Sequence, residues 1–99
     1  MNAPNGQRIV VTGMGAISPL GLNVSTLWDG LVNCRSGIGP ITQFDASGYE
    51  CRIAGEATDF DPGDFLPAKE ARRMARCSQM AVAAAREAAA QSGLAASRV

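Results

Sequence analysis

The 99-residue chain contains no histidine. Histidine is the commonest general base in enzymes, so no Ser-His or Cys-His catalytic pair can form within these residues. The three cysteines, Cys34, Cys51 and Cys77, include no C-x-x-C pair. This spacing argues against a zinc site or a disulfide framework and favours a reducing compartment, so we expect a cytoplasmic protein with buried, inert thiols.

The chain also lacks net charge and a long hydrophobic run. Nine basic residues balance nine acidic ones, which leaves no general electrostatic attraction for nucleic acid or for an anionic membrane. The most apolar stretch starts after Arg8 but is interrupted by Gly13, Gly15, Pro19 and Gly21. It is too broken for a signal-peptide core or a membrane-spanning helix. We therefore expect neither nucleic acid nor a membrane as partner.

What is present first is a short β-branched run, residues 9–12 (IVVT), after a polar tail at residues 1–7 that we expect to be disordered. Its apolar residues are consecutive rather than alternating, which predicts an interior strand covered on both faces. A helix is predicted to follow, from Asn23 as N-cap through Val32, with an apolar face that includes Trp28. We expect that face to pack on something large enough to cover the tryptophan.

The rest of the chain divides into an irregular part and a helical part. Glycine and proline punctuate residues 35–67, where only residues 52–57 (RIAGEA) look extended. Residues 69–91 predict a helix that stops at Gly93, with a possible break near Cys77 and Ser78 as a second N-cap. One strong strand and one doubtful one cannot complete a sheet. We therefore expect residues 8–99 to be an incomplete part of a larger domain.

The glycines after the first predicted strand resemble a dinucleotide-binding loop only partly. That loop needs G-x-G-x-x-G at the start of a helix and an acidic residue about twenty positions later. Here Ser18 replaces the third glycine, Pro19 disfavours immediate helix formation, and residues 33–38 (NCRSGI) supply no acid. A tight turn from strand to loop is therefore the better interpretation, and nucleotide binding is disfavoured.

A series of short motifs nevertheless occurs in a recognisable order. They are T-G-M-G-A-I-S-P-L-G (12–21), W-x-x-L (28–31), S-G-I (36–38) with F-D (44–45), I-A-G-E (53–56) with D-F-D-P (59–62), K-E-x-R-R-M (69–74), S-Q (78–79) and S-G-L (92–94). In this order the chain resembles the N-terminus of β-ketoacyl-acyl carrier protein synthases, especially the elongating type II ketosynthases of fatty acid and related polyketide synthesis. Cys34 departs from the pattern where a glycine often ends the first helix, although Asn33 could take the left-handed conformation instead.

The resemblance implies an α/β, thiolase-like layered fold, of which this chain is only the N-terminal part. It also implies decarboxylative Claisen condensation of an acyl thioester with malonyl carrier protein, in a homodimer that uses no metal and no organic cofactor. The family's cysteine nucleophile and two histidines lie beyond Val99, so we expect no catalytic residue in this chain and no activity from it alone. The alternative is a noncatalytic partner subunit of the same fold, similar to a chain-length factor.

Four cations recur at helical spacing: Lys69, Arg72, Arg73 and Arg76. On a continuous helix they would share one face, which would suit an acidic partner. The resemblance assigns Lys69, Arg72 and Arg73 to the surface that receives the acidic acyl carrier protein. The alternative is a solvated face neutralised by Glu70 or by the preceding acidic segment.

That acidic segment invites a calcium-loop interpretation. Asp59, Asp61 and Glu70 have the spacing of loop positions 1, 3 and 12, but the sixth position, which needs glycine, is Asp64. Turn formation and helix capping explain these aspartates better.

Overall fold

The computed structural model describes residues 6–94, so residues 1–5 of the predicted tail and residues 95–99 lie outside the described part. Within it the elements are helix α1 (Val24–Val32), strands β1 (Ile38–Pro40) and β2 (Ile53–Gly55), a 3₁₀ turn (Pro62–Asp64), and helices α2 (Ala68–Ala71) and α3 (Arg76–Ser92). In this region of the chain, none of the helices combines the length and apolarity needed to cross a bilayer.

Helix α1 confirms the predicted capping signal. The Asn23 side chain accepts a hydrogen bond from the Thr26 amide at 2.8 Å, and the Thr26 hydroxyl accepts one from the Asn23 amide at 3.4 Å, which completes a capping box. The expected cover for the apolar face is not supplied by residues 6–94, because Trp28 is 65% exposed and Leu31 54% exposed. Helical periodicity predicted the helix correctly but could not identify what would cover its apolar face.

The end of α1 corrects one expectation from the sequence. Cys34 takes the left-handed conformation, with φ of 56°, whereas Asn33 has φ of −95°. The Cys34 amide donates to the Leu31 carbonyl at 3.2 Å and the Arg35 amide to the Gly30 carbonyl at 2.9 Å. These two bonds form a Schellman motif, which requires the left-handed residue one position after Asn33.

The predicted interior strand at residues 9–12 is wrong for the described structure, where this stretch forms no strand and Ile9 is 82% exposed. A strand needs a hydrogen-bonded neighbour, and residues 6–94 provide none at this position. The sheet is instead an antiparallel pair of β1 and β2, in which Ile38 pairs with Gly55 and Pro40 pairs with Ile53. Strand β2 confirms the extended prediction for residues 52–57, whereas the Gly and Pro of β1 concealed its strand character.

The C-terminal helical region is divided, but not where the sequence predicted. The break occupies residues 72–75, between α2 and α3, and Ser78 lies inside α3 rather than at its N-cap. Gly93 ends α3 with φ of 75°, which confirms the predicted stop.

Glycines at residues 13 and 15 allow the opening segment to lie directly on α3. A Cβ at Gly13 would collide with the Ala88 carbonyl oxygen, and a Cβ at Gly15 with the Ala84 carbonyl oxygen. The G-x-G pattern therefore serves close packing against an alanine-rich helix face, rather than approach to a nucleotide phosphate.

Side chains of the same helix then fix the segment by hydrogen bonds. The Met14 amide donates to the Gln91 side-chain oxygen at 2.7 Å. The Glu87 carboxylate accepts from the Ala16 amide and, through its other oxygen, from the Val24 amide at the start of α1, both at 3.0 Å. Glu87 thus joins the opening segment, α1 and α3.

A small core lies beside this junction. Phe60, 3% exposed, and Ala83, 2% exposed, are its most buried members, and Phe65 stacks on Phe60 with ring centroids 5.5 Å apart. Ile17, Leu22 and Met80 pack around them. The core thereby connects α3 to the loop that precedes α2.

Gly15→Ala tests the close approach. We expect a loss of unfolding free energy of about 1–3 kcal/mol or more, because the added methyl would overlap helix backbone that cannot move aside. Gly48→Ala is the matched control, since a Cβ there meets nothing within 4 Å. Thermal unfolding of both variants checks this, and equal melting temperatures would contradict it.

Cys34→Gly should stabilise the protein. An L-residue in the left-handed conformation destabilises the folded state by about 1–2 kcal/mol. Glycine removes this strain but loses about 0.5–1 kcal/mol because its unfolded chain has more conformational entropy, so we expect the unfolding free energy to rise by about 0.5–1 kcal/mol. Cys34→Ala is the control, because it removes the thiol and keeps the strained Cβ. If denaturant unfolding gives the two variants the same stability, the strain is not at this residue.

Candidate functional site

Three of the four predicted cations lie in helix α2 or directly after it. Lys69 lies within α2, Arg72 is its C-cap residue and Arg73 follows in the turn; all three are exposed. We call these three residues the basic surface. The expectation that Arg76 would continue the same helical face is wrong, because the helix is interrupted between Arg73 and Arg76.

In the described part of the chain, no direct ion pair neutralises the charges of the basic surface. The ion pair observed there joins Arg35 to Asp29 at 3.1 Å and includes no residue of α2. The alternative of neutralisation by contact with Glu70 or the preceding acidic segment therefore finds no ion pair in the described region. Asp61 is used instead as a cap, since its side chain accepts from the Gly63 amide at 2.9 Å, which agrees with the capping interpretation.

Arg76 has a structural task. Its Nη2 donates to the Ala57 carbonyl at 3.1 Å and to the Phe60 carbonyl at 3.2 Å, and its guanidinium carbon lies 5.2 Å from the Phe60 ring centroid. This combination of hydrogen bonds and a cation–π contact holds the loop before α2 against α3.

Two further α3 side chains hold the segment that carries the basic surface. The Gln79 side-chain amide donates to the Ala71 carbonyl at 2.8 Å and to the Met74 carbonyl at 3.4 Å. The Arg86 guanidinium donates to the Phe65 carbonyl. Sequence reasoning noted Gln79 only within the S-Q motif and gave it no role, because its partners are backbone carbonyls that leave no sequence signal.

The cysteines do not form a reaction centre. Cys34, Cys51 and Cys77 are all exposed, so the expectation of buried thiols is wrong for residues 6–94. The reason is that this part of the chain builds too small a core to cover them. A cysteine nucleophile is activated by a neighbouring base or cation, and the sequence has no histidine for that purpose.

Two surface clefts flank the β1–β2 pair. One, of about 260 Å³, is lined by residues that include Pro19, Ser36 and Thr42; the other, of about 310 Å³, includes Phe44 and Met80. Neither lining contains a cysteine, and the Thr42 hydroxyl in the first is held in a hydrogen bond that anchors a loop. In the described region the geometry therefore supports a binding surface more strongly than a catalytic centre.

Glu56 lines both clefts and organises the loop between the two strands. Its carboxylate accepts from the Thr42 hydroxyl at 2.9 Å and from the Gln43 amide at 3.2 Å. Desolvation raises the pKa of Glu56, but hydrogen bonds from Thr42 and Gln43 outweigh it, so the pKa lies below its ordinary value. The carboxylate is thus kept ionised as a loop anchor rather than poised to exchange a proton near neutral pH.

Comparison with known proteins gives one consistent family. The model of the beta-ketoacyl synthase N-terminal domain matches residues 6–99. The 3-oxoacyl-[acyl-carrier-protein] synthase 2 of Synechocystis is 52% identical over 82 residues, which cover 83% of this chain and 20% of that protein. The synthase 2 of Coxiella burnetii is 46% identical over 88 residues, which cover 89% of this chain and 21% of that protein.

A solved structure shows the same similarity in three dimensions. The ishigamide ketosynthase/chain length factor superposes with a TM-score of 0.77 at 41% identity, over 91% of this chain and 22% of the matched chain. At this identity the match extends to sequence as well as fold. The chain spans about a fifth of the length of the curated relatives it matches.

Proposed function

The chain belongs to the beta-ketoacyl synthase family, and from this premise we propose that it is the N-terminal part of a β-ketoacyl-acyl carrier protein synthase. The observation that carries the proposal is the 52% identity to a 3-oxoacyl-[acyl-carrier-protein] synthase 2 over 83% of the chain. The fold supports it, because the described residues are a mixed helix and strand unit similar to a solved ketosynthase.

The proposed reaction is decarboxylative Claisen condensation in fatty acid or related polyketide synthesis. A cysteine thiolate attacks the acyl thioester and the carrier thiol leaves. Malonyl carrier protein then loses carbon dioxide, and the resulting carbanion attacks the acyl-cysteine carbonyl, which releases the thiolate and yields a β-ketoacyl carrier protein. We place the cysteine and its two supporting histidines outside these residues, so this chain contributes no catalytic group and is inactive alone.

The function proposed for the described region is to receive the acyl carrier protein. Lys69, Arg72 and Arg73 are exposed, carry no ion pair within residues 6–94, and lie on one short helix and the turn that follows it. Exposed cations without an ion-pair partner in the described region attract an acidic partner and orient it during encounter. The basic surface is therefore the proposed docking site.

The remaining parts of the proposal come from the sequence. The resemblance implies a homodimer and a reaction without metal or organic cofactor, and the cysteine spacing favours a cytoplasmic location. Neither nucleic acid nor a membrane is a proposed partner, and the balanced charge of the chain supports this part.

A noncatalytic role is the second candidate. The matched ishigamide structure is described as a ketosynthase together with a chain length factor, so similarity to it is compatible with either kind of subunit. A chain-length-factor-like partner would share this region and lack the nucleophilic cysteine.

Charge removal tests the docking site. In the full-length protein, Lys69→Ala, Arg72→Ala and Arg73→Ala should each raise the Kd for acyl carrier protein by a factor of about 1.4 to 5 at low salt, because an exposed charge pair contributes about 0.2–1 kcal/mol. Binding calorimetry measures this. The differences should shrink as added salt screens the exposed charges.

The matched control is Arg8→Ala, which removes one exposed positive charge outside the basic surface. It should leave the Kd close to that of the unchanged protein. If all four variants weaken binding equally, only net charge matters and the proposed docking site is wrong.

Acylation of the native protein distinguishes the two candidate functions. We expect incubation with acyl carrier protein to add an acyl mass to one cysteine other than Cys34, Cys51 and Cys77, and malonyl carrier protein then to release a β-ketoacyl product. Intact mass and peptide mass spectrometry measure both steps. A native protein that is never acylated but co-purifies with an active synthase would instead be the partner subunit.

A further inference from the structure

The turn between α2 and α3 carries two of the three cations of the basic surface. Helix α2 ends at Ala71 and α3 begins at Arg76, so Arg72 and Arg73 lie in the link between them. A helix as short as α2 is not stable by itself in water, and its orientation depends on contacts from outside.

One side chain from α3 reaches this link. The Gln79 amide nitrogen donates to the Ala71 carbonyl at 2.8 Å, immediately before Arg72, and lies 3.4 Å from the Met74 carbonyl, immediately after Arg73. The two accepting carbonyls therefore bracket the arginines in the chain. Within residues 6–94, no side chain from another element besides Gln79 bonds to the backbone of residues 71–74.

Gln79 is itself fixed at the start of a longer helix. Its backbone N–H donates to the Ala75 carbonyl at 3.0 Å, which is a hydrogen bond of the first turn of α3. Its side chain is partly buried. The next residue, Met80, packs against the core cluster. The side-chain amide is therefore carried by a rigid helix, so its position sets the orientation of the link.

We infer that Gln79 is a positioning residue of the docking site: it holds residues 71–74 so that Arg72 and Arg73 face the carrier protein together. This inference rests on the proposed function of the basic surface. Without the two amide donors, the link would sample arrangements in which the cations point apart. The apparent Kd then rises in inverse proportion to the fraction of the competent arrangement that remains.

The test uses the full-length protein with Gln79→Met, which keeps the side-chain length and removes both donors. Loss of about one net hydrogen bond predicts a three- to tenfold increase in the Kd for acyl carrier protein. The KM for a malonyl thioester of a small thiol should not change, since that substrate needs no docking. Ser78→Ala, at the neighbouring exposed position of α3, is the matched control and should leave both values unchanged.

A double-mutant cycle separates positioning from general stability. Gln79→Met should have little further effect on the Kd when Arg72 and Arg73 are both already alanine, because nothing remains to be positioned. If Gln79→Met raises the Kd by the same factor with and without the arginines, or raises the KM for the small thioester equally, its role is structural and the inference is wrong.

The same experiment keeps the two proposals distinguishable. If replacing both Arg72 and Arg73 by alanine weakens carrier binding and Gln79→Met does not, the inference is overturned and the docking site stands. If neither change affects binding, the docking site itself is wrong and the inference fails with it.

Discussion

The described structure depends most on the carboxylate of Glu87. Its two oxygens accept hydrogen bonds from the amides of Ala16 and Val24, each at 3.0 Å, and so join the opening segment and the start of α1 to a helix more than sixty residues later in the sequence. Val24 is the first residue of α1, where helix amides lack internal partners and favour a negative charge. Because Glu87 lies on α3, the long helix sets both the path of the opening segment and the start of α1.

The first turn of α3 organises the proposed site in a similar manner. Gln79 donates to backbone carbonyls on either side of Arg72 and Arg73, and Arg76 donates to carbonyls of the loop before α2. In both places polar side chains of one rigid helix satisfy backbone groups of irregular chain. A buried or partly buried backbone group without a partner is costly, so these bonds decide which loop conformations persist.

Local signals were sufficient where a structure depends on neighbours in the sequence. Asn23 and Thr26 cap α1, and Gly93 ends α3, because capping is decided within a single turn of chain. The strand expected at residues 9–12 and the cover expected for Trp28 depend on distant partners, which the described residues do not contain. The left-handed residue at the end of α1 was misplaced by one position, since the Schellman bonds that select Cys34 are not visible in residue types.

The sequence by itself determined the family resemblance and the cations Lys69, Arg72 and Arg73, because residue types and their order are enough to recognise a motif. The sequence also predicted the capping role of Asp61, which lies at the start of the 3₁₀ turn. Tertiary structure alone removed Arg76 from that group and assigned Gln79 a supporting place. The physical reason is that both side chains bond to backbone carbonyls outside their own helix. A carbonyl has the same chemistry at every residue, so the choice of partner depends on three-dimensional geometry.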